Sequence, residues 1–183
     1  SQTDRGIITN AYGTEKYLRM GRALALSVRH HAPKESLAVV TDTPGYYRGL
    51  YDHIISIDWD FGNGVVQKLH LDRYTPFQET LFIDSDCLLY DPPDPMWDFL
   101  RNDEGFGVRQ FGWINESDSG YNIRNIKHFL DYFQVQKIPK VRTGYCYFRD
   151  VAKVRDIFTK ARDVYYQREK IGLEPFKNAP VND

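Results

Sequence analysis

An α/β fold, with a mostly parallel mixed sheet and helices on both faces, is what this sequence predicts. Two observations carry the expectation. Apolar runs of strand length alternate with segments of helical spacing along the chain, the pattern of a mostly parallel layered sheet. The length of 183 residues, with 42% hydrophobic and 27% charged, suits one domain with a real core. In sheets of this kind ligands bind at the carboxyl ends of the strands.

The elements follow in order. Gly6–Thr9 opens as a short apolar strand. Glu15–His31 reads as a helix, with Leu18, Leu24, Ala25 and Val28 near helical spacing, and it stops before Pro33. Leu37–Thr41 is a β-rich run closed by the turn signal Asp-Thr-Pro-Gly. His53–Ile57 is a strand and Val65–Tyr74 a helix. Thr80–Ile83 is a buried strand running into Asp84-Ser85-Asp86. Met96–Arg101 is a short helix, Gly105–Phe111 and Tyr145–Phe148 are strands, and Ile123–Phe133 and Val151–Arg168 are helices. No repeat or linker divides residues 1–183, so a single domain is expected.

Composition removes several classes. The formal net charge is −1 and basic residues are scattered, which argues against a nucleic-acid partner. No apolar run approaches the ~18 residues of a transmembrane helix. The chain begins at Ser1 without a Met, as it would if a leader or tag had been removed. Cys87 and Cys146 sit far apart in apolar runs, read as buried free thiols in a reducing, cytoplasmic setting.

The sharpest chemical feature is Leu81-Phe82-Ile83-Asp84-Ser85-Asp86. Strand alternation points residues i and i+2 the same way. Two like charges so placed repel unless a cation lies between them, and a hard divalent ion takes carboxylate oxygens together with substrate phosphates. A solvated turn accounts for the same residues. Lys68, in Gln67-Lys68-Leu69, offers a point charge for a diphosphate, although solvated lysines on helix faces are common. Thr9-Asn10-Ala11-Tyr12 ends the first strand. Its Thr and Asn can hydrogen-bond a base or ribose and its Tyr can stack, or the segment is a loop with an exposed ring. Gly62-Asn63-Gly64 matches no phosphate-loop pattern and reads as a turn. His30, His31, His53, His70 and His128 form no metal-ligand spacing.

Taken in order, these features resemble family 8 glycosyltransferases, the glycogenin-like enzymes of the Rossmann-like GT-A fold. Ile7–Tyr12 and Ala23–Val28 look like that family's uridine-binding opening, and Val39-Val40-Thr41 like its second strand. Gln67-Lys68-Leu69 matches its Lys-Leu helix, Leu81–Asp86 its Asp-x-Asp strand, and Thr143–Phe148 its Asn-Ser-Gly strand. Asp91-Pro92-Pro93 and Met96-Trp97 fall where the family has a loop and short helix. The resemblance covers nearly the whole chain. It implies Mn²⁺ (or Mg²⁺) on Asp84 and Asp86, and a nucleotide-sugar donor, a UDP-sugar, contacted by Thr9, Asn10, Tyr12, Lys68, Asp84 and Ser85. It also implies transfer to a carbohydrate or other hydroxyl acceptor with retention.

Two departures stand out. Arg142-Thr143-Gly144 replaces Asn-Ser-Gly, and no residue after His128 supplies the family's later metal-binding His. Either the expected form is truncated at its C-terminus, binding nucleotide but transferring sugar poorly, or the subgroup uses a different third ligand. Phe82–Leu88 also resembles the Asp-x-Asp strand of haloacid-dehalogenase-like phosphatases, in which the first Asp is a nucleophile. That motif normally opens its domain, whereas a full β/α segment precedes it here. A non-catalytic nucleotide- or carbohydrate-binding domain is the third reading.

Overall fold

A computed structural model of the chain describes residues 3–119 and 122–174. Its strands are β1 (Thr3–Asn10), β2 (Leu37–Thr41), β3 (His53–Ser56), β4 (Phe77–Ile83), β5 (Phe106–Asn115) and β6 (Lys137–Arg149). Its helices are α1 (Glu15–His31), α2 (Leu71–Tyr74), α3 (Asp94–Leu100), α4 (Ile126–Tyr132) and α5 (Ala152–Tyr166). The six strands form one sheet in the order β3-β2-β1-β4-β6-β5. β1 to β4 pair in parallel, and β6 runs antiparallel to both β4 and β5. One reversed strand therefore sits inside an otherwise unidirectional sheet, as the expected mixed α/β fold requires.

Helices cover both faces because the strands are apolar on both sides. On one face Ile7, Val39, Leu81, Ile83 and Tyr147 pack beneath α1 and α3, which contribute Leu24, Ala25, Val28, Trp97 and Leu100. On the other, Ile8, Val40, Phe82, Cys146 and Phe148 pack against Leu71 and Tyr74 of α2 and Val154 and Phe158 of α5. Gly21 lets α1 lie close to β1, since a Cβ there would come within 2.5 Å of the Ala11 Cβ. No described helix is long and apolar enough to cross a membrane.

Three elements differ from the sequence reading. The expected helix over Val65–Tyr74 is a 3-10 winding over Gly64–His70 followed by the single α-turn of α2. The cause is tertiary: the Gln67 side chain is fully buried and reaches the carbonyls of Asp58 and Gly62 and the hydroxyl of Tyr74. β6 is far longer than Tyr145–Phe148, because beyond Tyr145, which pairs with Ile83 at the end of β4, it continues as a two-stranded ribbon with β5. α4 begins only at Ile126, where the Asn125 side chain accepts from the His128 amide, a helix cap.

Candidate functional site

The site is built at the carboxyl end of β4 and its neighbours. Ile8 pairs with Phe82 across β1 and β4, so Asn10 and Asp84 continue the same register on the face shared with α2 and α5. The Asp84 amide donates to the Gly144 carbonyl at 2.7 Å, tying the end of β4 to β6. A Cβ at Gly144 would touch Asp84 Oδ2 at 3.6 Å, so the glycine leaves that flank of the carboxylate open.

Lys68 reaches this point from the 3-10 segment. Its Nζ lies 2.5 Å from Asp84 Oδ1 and 5.3 Å from the centre of the Phe82 ring. Burial pushes the Asp84 carboxyl above its ordinary value; the Lys68 hydrogen bond and charge pull the other way, and Asp86 adds to the rise. A half-buried carboxylate held by one cation beside a second carboxylate has oxygen ligands to offer a hard divalent ion.

Asp86 is placed differently from the sequence argument. β4 ends at Ile83, and the Cys87 amide bonds back to the Asp84 carbonyl at 3.0 Å. The chain therefore turns through Asp84–Cys87, and strand alternation does not set the direction of Asp86. The two carboxylates are neighbours through a tight turn rather than through one strand face. Asp86 is exposed and Ser85 buried. Among the described residues no group of three or more His, Cys, Asp or Glu side chains is gathered as a metal cage.

Tyr12 closes the other side. Its hydroxyl donates to the Gly64 carbonyl at 2.7 Å, and its ring meets Trp59 edge-on at 5.7 Å. Burial raises its phenol well above the ordinary range, and Tyr74, Asp42 and Asp84 add to the effect. Tyr12 thus stays a neutral donor in acidic surroundings. Gly62 and Gly64, at φ +101 and +66, make the turn that brings this carbonyl into place.

Thr9 and Asn10 separate. Neighbouring strand residues point to opposite faces, so Thr9 faces the α1 side with Ile7, where it is 1% exposed. Asn10 faces the site, and its Oδ1 and Nδ2 are buried without a partner among the described residues, as is Thr9 Oγ1. The structure thus brings Asn10, Tyr12, Lys68, Asp84 and Asp86 together and leaves Thr9 behind the sheet. Asp42, which accepts from the Gly13 amide at 3.0 Å, is an added carboxylate that the sequence reading missed. It follows β2 as Asp84 follows β4, but a turn acid carries no mark of the site until β2 is seen to lie beside β1.

Both cysteines are free. Burial pushes the Cys146 thiol up to about 12, and burial with Asp86 and Asp84 raises Cys87, so neither is a thiolate. Surface clefts elsewhere, one between α4 and α5 and one beside Arg5 and Glu35, lie away from these strand ends.

The six-stranded sheet with its reversed β6 and helices on both faces has the GT-A class of α/β fold. Two solved glycosyltransferases share it. The galactosyltransferase LgtC, solved with donor and acceptor sugar analogues, superposes with a TM-score of 0.61 at 20% identity, over 91% of this chain and 66% of that one. The glycosyltransferase GlyE of Streptococcus pneumoniae TIGR4 gives 0.57 at 10% identity, over 97% of this chain and 41% of that one. The chain thus spans about two thirds or less of the length of these structures. No family model matches the sequence, and no curated protein matches it.

Proposed function

We propose that this chain is the donor-binding part of a metal-dependent glycosyltransferase of the family 8 type, using a UDP-sugar and retaining the anomeric configuration. The observation that carries the reading is the half-buried Asp84–Lys68 pair, with Asp86 beside it, at the carboxyl end of a central strand. Asp84 and Asp86 are suited to hold Mn²⁺ or Mg²⁺, each giving oxygen ligands while substrate phosphates complete the shell. Bound there, the ion supplies Lewis-acid neutralisation of the departing diphosphate.

The chain's own side chains have separate tasks. Lys68 places a positive charge where a diphosphate arrives and offsets the charge that builds on it. Asn10 presents an amide donor and acceptor with no partner among the described residues, which suits the edge of a base or ribose. Tyr12 borders the same space with a neutral ring. Thr9 has no part in this arrangement, its side chain being buried beneath α1. The two free thiols support a reducing, cytoplasmic setting.

Calorimetry tests the reading directly. Uridine diphosphate should bind in Mn²⁺ and lose at least about tenfold in affinity in EDTA or in Asp86→Ala, tenfold being ~1.4 kcal/mol. Equal affinity with and without the metal would overturn it.

A further inference from the structure

β4, β1, β2 and β3 lie side by side in the sheet and run in parallel. Their carboxyl ends share one edge, where the chain carries Asp84, Asn10, Asp42 and, three residues past Ser56, Trp59. With strands about 4.8 Å apart, the row of four ends is roughly 14 Å long. An extended nucleoside diphosphate covers such a span from its outer phosphate to its base.

One stretch of chain, between β3 and β4, borders this row from end to end. It first passes Trp59, whose ring meets the Tyr12 ring edge-on at 5.7 Å and 86°. It then passes Gly64, whose carbonyl accepts from the Tyr12 hydroxyl at 2.7 Å. It ends at Lys68, 2.5 Å from Asp84 Oδ1. The order of these contacts gives the row a polarity. Charged groups stand at the β4 end and two aromatic rings at the other. Asn10, on β1 beside β4, adds an amide whose Oδ1 and Nδ2 have no partner among the described residues.

Trp59 is 47% exposed, and the turn that carries it is held without its indole. The Asp60 amide donates to Asp58 Oδ1 at 2.9 Å, and the Gly62 amide to the Trp59 carbonyl at 3.0 Å. The Asp58 and Gly62 carbonyls accept from the buried Gln67 amide at 2.8 and 2.5 Å, and the Asp58 amide donates to the Tyr74 hydroxyl at 2.9 Å. The backbone under Trp59 is thus fixed from both sides, so little freedom is lost when a ligand covers the ring.

We propose that Trp59 is a base-binding residue of the donor site, the nucleobase lying against its indole with Tyr12 as the second ring of the corner. The inference rests on the glycosyltransferase reading and adds to it the far end of the nucleotide. A diphosphate held at Asp84 and Lys68 sends the base along the row towards β3 and the transferred sugar away from it. Trp59 therefore meets the base and not the sugar. Every base has a flat face to stack, so Trp59 contributes affinity for the nucleoside over a bare diphosphate.

Calorimetry in Mn²⁺ compares uridine diphosphate with methyl diphosphate on the parent, Trp59→Ala and Trp59→Phe. Trp59→Ala should bind uridine diphosphate at least about tenfold more weakly, ~1.4 kcal/mol, with its methyl diphosphate affinity and melting temperature at the parent values. Trp59→Phe keeps a ring face and should retain most of the affinity. Uridine diphosphate should also change the parent's tryptophan emission, and that change should vanish in Trp59→Phe, where Trp97 and Trp113 remain. The emission decides the matter if Trp59→Ala melts early. Unchanged uridine diphosphate affinity in Trp59→Ala, or an emission change that survives in Trp59→Phe, overturns the inference and leaves the glycosyltransferase reading in place. So does an equal loss for methyl diphosphate, which would place Trp59 at the phosphate end. A loss seen with UDP-glucose but not with uridine diphosphate would make Trp59 a sugar contact and overturn it as well. If the parent binds neither diphosphate, the glycosyltransferase reading fails and this inference with it.

Discussion

Lys68 Nζ lies 2.5 Å from Asp84 Oδ1, so the 3-10 segment and the end of β4 are joined by an ion pair with each side chain less than one third exposed. Lys68→Met removes the cation and leaves Asp84 with its burial uncompensated. Stability should fall by roughly 1.5–3 kcal/mol, the usual size for a hydrogen bond to a charged group. Urea denaturation at neutral pH measures it, and an unchanged midpoint would show that the pair contributes nothing. The same variant should bind uridine diphosphate more weakly.

Arg162 of α5 makes a two-pronged contact with Asp72, at 2.7 and 3.2 Å, and also donates to the Leu69 carbonyl. Both side chains are 8% exposed. Removing one partner of a buried pair strands the other, so Arg162→Met should cost roughly 3–5 kcal/mol. The loss should be much smaller in the double variant Arg162→Met/Asp72→Leu, which strands neither charge. Chemical denaturation of the two variants side by side decides the matter; equal losses would mean that packing, and not the charge, is responsible.

His70 gives a pH dependence whose sign is fixed. Its imidazole is 2% exposed, stacks on Phe61 at 4.1 Å and has no hydrogen-bond partner for either nitrogen among the described residues. Burial, with Arg162 and Arg73, holds its pKa below the ordinary value, against the smaller pull of Asp72 and Asp58. The unfolded chain therefore takes up the proton more readily than the folded one. The stabilisation is complete above the ordinary His range, and it declines as pH falls through that range towards the lower folded pKa. Urea midpoints taken at about pH 7.5 and about pH 5.5 should drop less in His70→Leu than in the parent. A parallel drop in both would assign the acid loss to other groups.

Gly107 is required by a backbone approach. A Cβ there would lie 2.0 Å from the Leu100 carbonyl oxygen and 2.9 Å from its carbon, so no side-chain rotation relieves the clash. Gly107→Ala should destabilise by roughly 1–3 kcal/mol or more. Gly45→Ala, where a Cβ would meet nothing within 4 Å, is the control. A melting temperature in Gly107→Ala equal to the control's would show that α3 can shift freely against β5.

The candidate site was legible in part. Asp84 and Lys68 could be chosen because their residue types, following an apolar strand and a preceding helical segment, mark a strand-end anion site. Asp42 could not be chosen that way. Asp42 is one of many turn acids until β2 is seen to lie beside β1.

The sequence by itself determined which segments are strands and helices wherever burial is one- or two-sided and local. α1 over Glu15–His31 and β2 over Leu37–Thr41 fall at the residues their periodicity marks, because alternation and helical spacing are properties of neighbouring residues. Tertiary structure alone decided the rest. Strand order, the reversal of β6, the 3-10 winding around Gln67 and the opposite directions of Thr9 and Asn10 relative to the site all depend on partners distant in sequence. So does the anchoring of Asp84: its amide is held by Gly144, sixty residues later, and a hydrogen bond of that span leaves no trace in the local pattern of the chain.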